Sequence, residues 1–236
     1  MKTETTKSTK GTGLFKAFLC LLCFLWLRPP FVQAQATLDQ VFVKMDEVAK
    51  TFHSVQTDFE RTKVTVLVND KDVATGKFYY ERQGKVPRLK MELSKPAVQF
   101  LLIDKGQVQL YEPNVKQLKK GSLEGHQDQV EVYMSLGFGQ SSQELKKNFN
   151  VSLIGDETVD GKKTTVIELK SKTPSAYKSV RMWIDQQSWI SYQIKITENT
   201  NDYSVLKYSN AKLGASISGS VFELPKMPKD VSIIKF

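Results

Sequence analysis

From Val55 onward the apolar residues of this 236-residue chain recur at every second position, and with one interruption they do so to the C-terminus. Strand side chains alternate faces with a period of two, so this pattern calls for an antiparallel sheet and is incompatible with a helical domain. The spacing predicts strands over 55–68, 73–82, 88–93, 98–103, 107–111 and 115–119. Beyond the interruption it predicts strands over 151–154, 164–170, 179–184, 189–197 and 203–211, with a last short strand around Phe222. Turns are expected at 69–72, 104–106 and 160–161, where Asn, Asp and Gly tolerate left-handed backbone.

Ahead of the sheet, Leu38, Val41, Phe42, Met45, Val48, Ala49 and Phe52 follow helical spacing, and Thr37 with Gln40 forms a capping box. The interruption, about 127–149, carries Val130, Tyr133, Met134, Leu136 and Phe138, then a second capping box at Ser141 and Glu144. It reads as two short helices separated by Gly137 and Gly139. Eleven or so strands must curl to bury their apolar faces. The expected fold class is mainly β with helices (α+β): an incomplete antiparallel β-barrel of about eleven strands covered by a helical lid.

The first residues read as a secretory signal peptide: Lys2, Lys7, Lys10 and Lys16, an apolar run over 17–27, then Arg28-Pro29-Pro30 and the small residues Ala34 and Ala36. Spanning a bilayer takes about 20 helical residues, so a run this short favours cleavage over anchoring. Segment 1–36 is therefore expected to be removed, with cleavage after Ala34 or Ala36, leaving an exported domain over 37–236. Cys20 and Cys23 leave with the signal, so the mature domain offers no thiol chemistry. Five basic residues and one acidic residue leave as well, and the net charge falls from +9 to +5. That mild excess is not the clustered footprint of a nucleic-acid binder, and no nucleic-acid partner is expected.

Catalytic constellations are sparse. His53 and His126 stand in no ligand-spaced pair, and His53 suits the C-terminal end of a helix. Asp156, Glu157 and Asp160 surround a turn that ends in Gly161, where they read as turn formers. Neither a nucleophile elbow nor a phosphate-binding glycine loop occurs in the sequence. A non-enzymatic protein without metal or cofactor is expected.

The chain is rich instead in alternating apolar positions. Phe78 and Tyr80 share a face with Arg82, and Met91 shares one with Leu93 on the next strand. Phe100, Leu102, Met182, Ile184, Tyr192 and Ile194 continue the pattern, while Met134 and Phe138 lie in the interruption. A filled barrel and a hollow one produce the same alternation, so periodicity alone leaves both open.

The order of segments resembles the outer-membrane lipoprotein carrier family (LolA-like). The resemblance rests on an opening amphipathic helix, Phe59, the strand Gly76-Lys-Phe-Tyr-Tyr-Glu-Arg82, Gly106 followed by Tyr111-Glu-Pro113, and a helical region before Phe149. It continues through Ile167-Glu-Leu-Lys170, Trp183-Ile-Asp185 and a closing Phe222-Glu-Leu-Pro225. The resemblance implies an open barrel whose helical lid covers a hydrophobic cavity for acyl chains. It also implies that the apolar residues above line that cavity.

Arg82 stands where the family has an arginine whose hydrogen bonds to the lid hold the empty cavity closed. Family members place a proline directly after it; here Pro87-Arg88 follows only after an insertion, which makes Arg88 the alternative latch. Gln109 stands in place of a common tryptophan, and the closing motif is expected to leave little room for an extra C-terminal strand. The implied function is a monomeric periplasmic carrier of acylated lipoproteins or other lipids. Its partners would be an inner-membrane lipoprotein-releasing ABC transporter and an outer-membrane acceptor. The alternative is a lipid- or lipoprotein-sensing module on the same scaffold that binds a signalling partner.

Overall fold

A computed structural model describes residues 1–3, 37–83, 86–123 and 138–235. The chain divides into two units, Met1–Gln35 and Ala36–Phe236, and the fold is that of the second. Residues 4–36, most of the expected signal segment, and the first helix expected in the interruption, with Met134, lie outside the described residues.

The helix α1 (Leu38–Thr51) begins at the predicted capping box: Thr37 Oγ1 accepts from Gln40 N, and Gln40 Oε1 accepts from Thr37 N at 2.8 Å. Val41, Phe42 and Met45 turn one face of it into the core. Then follow β1 (Ser54–Thr65), β2 (Asp70–Gln83), β3 (Val86–Lys95), β4 (Gln99–Asp104), β5 (Gln107–Glu112) and β6 (Gln117–Ser122). The second capping box starts α2 (Ser142–Asn148), with Ser141 and Glu144 in the predicted roles. Five further antiparallel strands complete the run: β7 (Phe149–Val159), β8 (Lys162–Ser171), β9 (Tyr177–Asp185), β10 (Ser191–Glu198) and β11 (Tyr203–Leu213).

With a twelfth, β12 (Ser232–Lys235), these strands form one sheet in the order β12-β6-β5-β4-β3-β2-β1-β11-β10-β9-β8-β7, which has two edges and is therefore open. The fold class is as expected, an unclosed antiparallel sheet with helices. At the turns Lys105-Gly106 and Asp160-Gly161 both central residues have positive φ, the mirror-image geometry that matches strand twist. The β1–β2 and β5–β6 connections instead use short 3-10 segments, Val66–Val68 and Pro113–Val115, each closed by a left-handed residue, Asn69 or Lys116. These segments shorten the first strand and delay the sixth relative to the alternation.

The end of the chain departs from expectation. Phe222 lies in a 3-10 turn (Gly219–Phe222), and the last strand, β12 (Ser232–Lys235), pairs in parallel with β6. Room for an extra C-terminal strand is thus present, because four residues suffice to cover the β6 edge. The segment leading to β12 also creates a second core. Ile217 and Phe222 pack on Tyr79 and Leu102, which lie on the sheet face turned away from α1. Lys90 on that same outer face is 5% exposed, and its ammonium donates to the Glu223 carbonyl at 2.8 Å.

Candidate functional site

The inner face of the sheet, under α1, is lined by alternate residues whose register is fixed by pairing. Phe78 lies opposite Met91, and Tyr80 lies opposite Leu89. The main core joins these residues to Val55 and Phe59 of β1, Met182 and Ile184 of β9, Ile194 of β10 and Tyr208 of β11. Gly76 belongs to this wall for a steric reason: a Cβ there would collide with the Glu92 backbone on the neighbouring strand.

Into this face descends a short strap, residues 138–141, which leads to α2. The Phe138 ring is 2% exposed. Its centroid lies 4.7 Å from Tyr208 in an edge-on contact, 5.4 Å from Phe78 and 6.4 Å from Phe52. Aromatic pairs at such distances attract beyond their area burial, so the Phe138 ring is anchored among them. The backbone must reverse immediately after it, and Gly139 does so at φ +66, with a Cβ excluded by the Phe52 ring.

Two ties hold the strap. Arg82 Nη2 donates to the Gly139 carbonyl at 3.1 Å, and the Arg82 backbone N–H donates to the His53 carbonyl at 2.7 Å. The first bond occupies one of five guanidinium donors and is partly accessible to solvent, which makes it breakable. On the far side of the strap, Asp46 of α1 accepts from Ser142 N at 2.6 Å and from Ser142 Oγ at 2.7 Å. This second tie also places a carboxylate at the start of α2. Lys146 of α2 lies 4.3 Å over the Phe42 ring, so the two helices hold each other as well.

The structure brings Phe78, Tyr80, Arg82, Met91, Phe138, Met182, Ile184 and Ile194 together on the inner side, with Leu93 packed at the margin of the same core. Four others go elsewhere. Arg88 lies on the outer face, paired with Glu81, its guanidinium 4.1 Å over the Phe222 ring. Leu102 belongs to the second core, and Phe100 stacks on Tyr111 on that same outer face. The run Phe100-Leu-Leu-Ile103 is apolar on both faces because both are covered, so alternation could not choose between them. Tyr192 leaves the inner face because the β9–β10 register shifts between Ser191 and Gln193; its hydroxyl donates to Asp160 at 3.0 Å.

Sequence reasoning missed Asp46, which stands on α1 with no marker of its distant partner. It also missed Gln140 and Ser191. The Gln140 Oε1 and Ser191 Oγ atoms are buried and find no hydrogen-bond partner among the described residues. Nothing in the period-two pattern singles them out.

Asp185 shapes the β9–β10 turn below this wall. Burial alone would raise the pKa of its carboxyl, but the N–H groups of Gln187 and Ser188 and the Lys162 ammonium outweigh burial and hold it below the usual range.

These features define a fold in which an open antiparallel sheet and its helices enclose an apolar interior, closed on one side by a tied strap. Residues 50–225 match the family described as Outer membrane lipoprotein carrier protein LolA, and the chain belongs to that family. It is 23% identical over 175 residues to the uncharacterized protein MJ0687 of Methanocaldococcus jannaschii, a match that covers 74% of this chain and 49% of that protein. The chain thus spans about half the length of this curated relative. Among solved structures, a conserved protein of Thermus thermophilus superposes with a TM-score of 0.55 at 12% identity, covering 85% of this chain and all of that one. MucB superposes with a TM-score of 0.52 at 12% identity, covering 80% of this chain and 63% of MucB. At such identities these likenesses establish a common fold.

Proposed function

We propose that the protein is exported to the periplasm, shields the acyl chains of lipoproteins there, and moves them from an inner-membrane releasing transporter to an outer-membrane acceptor. The observation that carries this reading is the plugged strap: Phe138 fills the inner face while Arg82 holds Gly139. A plug on a breakable tie suits an interior that must open for a ligand and close after release. The proposed cavity wall is Phe78, Tyr80, Met91, Leu93, Met182, Ile184 and Ile194, with Arg82 as the latch. Removal of segment 1–36 and the mild positive charge of the remainder belong to the same reading.

The magnitudes are favourable. Burying Phe138 contributes about 1.5–3 kcal/mol, each aromatic pair about 1 kcal/mol, and the Arg82 bond about 1.5–3 kcal/mol. An acyl chain of about 14 methylenes brings about 11 kcal/mol on leaving water, at about 0.8 kcal/mol per CH₂. A chain exposed to water therefore displaces the plug. A chain still in a bilayer gains no such term, since lipid tails are themselves apolar. Loading from a membrane therefore requires a donor that lifts the chain out, as a releasing transporter does.

The test is retention. The purified protein is mixed with a diacylated peptide diluted from detergent into water without vesicles, and the mixture is passed over a size-exclusion column. A one-to-one complex of protein and peptide supports the carrier reading, and peptide that elutes wholly apart from the protein refutes it. MucB, which shares this fold, has been solved in complex with MucA from Pseudomonas aeruginosa. If lipid retention is absent but a membrane-bound regulator is captured, the module is instead a sensor.

A further inference from the structure

Where α1, the strap and the β9–β10 wall meet, a cavity of about 10 Å³ lies between Met45, Val48, Met182 and Trp189, with Gln140 and Ser191 among its lining residues. Gln140 is 8% exposed and Ser191 is 2% exposed. Among the described residues neither Gln140 Oε1 nor Ser191 Oγ has a partner. Two unpartnered polar atoms, on two residues that line one small space in an apolar interior, are costly, because a buried acceptor or hydroxyl without a partner loses its hydration for nothing. Natural cores rarely tolerate one such atom without a reason, and here two line the same cavity.

We infer that Gln140 and Ser191 form a polar subsite for a cargo group that both donates and accepts a hydrogen bond, next to the acyl chain. The inference rests on the carrier reading and narrows its ligand. Gln140 Oε1 can only accept, so its partner must carry an N–H or an O–H; Ser191 Oγ can donate to an oxygen on the same group. A trans secondary amide presents its N–H and C=O on opposite sides and bridges the two residues. A hydroxyl serves both with a single atom. A plain ester satisfies Ser191 and leaves Gln140 unpaired.

The location suits a loaded state. Ser191 begins β10 and is fixed in the wall, while Gln140 stands between the plug and α2. Because Ser142 is tied to Asp46, Gln140 stays beside the wall when Phe138 swings out, so a bridging amide or hydroxyl fastens the strap over the bound chain. The subsite thereby favours N-acylated or hydroxylated chains over simple esters of equal length.

The test uses three ligands of one chain length: N-methylpalmitamide, methyl 2-hydroxypalmitate and methyl palmitate. Each is titrated against a fluorescent fatty-acid probe bound to the purified protein. The amide and the hydroxy ester are expected to compete at concentrations on the order of tenfold lower than the plain ester, the size of one net hydrogen bond. An advantage confined to the amide identifies an N-acyl group as the source; one confined to the hydroxy ester identifies a hydroxylated chain. Gln140→Met is expected to abolish the preference, and Ser191→Ala to weaken all three ligands. Thermal melts of both variants report folding, and loss of an unpartnered buried polar group is not expected to lower stability. Equal competition by all three ligands, with neither variant altering it, overturns the subsite while leaving the carrier reading intact. Failure of the fatty-acid probe and of every ligand to bind the wild-type protein overturns the carrier reading itself, and the subsite with it.

Discussion

Arg82 reaches across from the end of β2 to the Gly139 carbonyl at 3.1 Å, and so joins the barrel wall to the one point of the strap that only glycine can occupy. This contact places a charged donor beside the aromatic plug and holds the plug without burying the charge fully.

Arg82→Leu removes the tie while preserving much of the side-chain volume. A hydrogen bond from a charged donor contributes about 1.5–3 kcal/mol, so the closed-to-open ratio of the strap is expected to fall on the order of tenfold or more. The variant should still load ligand but release it more slowly, because the reclosing that expels the chain is weakened. Stopped-flow transfer of a fluorescent acyl ligand to acceptor vesicles measures this. A release rate equal to that of wild type would show that the bond is no latch.

Arg88→Leu provides the contrast. Arg88 pairs with Glu81 and covers Phe222 on the outer face. Its loss should loosen the C-terminal segment and lower stability by about 1–2 kcal/mol, in the range of a cation–π contact joined to a partly buried ion pair. Ligand release should remain as in wild type. Slowed release in this variant, with Arg82→Leu normal, would move the latch to Arg88.

Phe138→Ala separates stability from binding. Truncating a buried phenylalanine costs about 3–5 kcal/mol, so the melting temperature should fall. The affinity for an acyl probe should nevertheless rise, because the ligand no longer has to expel a ring before it binds. Weaker binding in step with lower stability would mean that Phe138 is ordinary core.

These elements were unequally legible. The Arg82 face followed directly from the parity it shares with Phe78 and Tyr80, and both capping boxes announced their helices. Parity failed at Phe100 and Leu102, because the C-terminal segment covers the outer face and makes both sides of β4 apolar. It failed at Tyr192 because a bulge shifts the phase within β10. The Asp46–Ser142 tie and the Gln140–Ser191 pair join residues far apart in the chain, so no local spacing could reveal them. β12 is only four residues long, too short to establish a period of its own.

Asp185→Asn tests the turn that carries Ser191 into the wall. The Asp185 carboxyl is held below its ordinary range, so its charge stabilises the folded state above the unfolded pKa, near 3.9. That contribution is lost as pH falls through the lower folded value. The variant should therefore be less stable than wild type at neutral pH, by about 1 kcal/mol. The difference should close on acidification below pH ~4. Denaturant melts across that range check it, and a difference independent of pH would remove the charge from the explanation.

The most direct measurement is hydrogen–deuterium exchange at Phe138 and Gly139, with and without a diacylated peptide bound. If an acyl chain takes the place of Phe138 and breaks the Arg82 tie, exchange at these two residues should speed up on loading, while the wall strands β2 and β9 become no less protected. A bound peptide that leaves exchange in the strap unchanged would contradict a plugged and latched carrier.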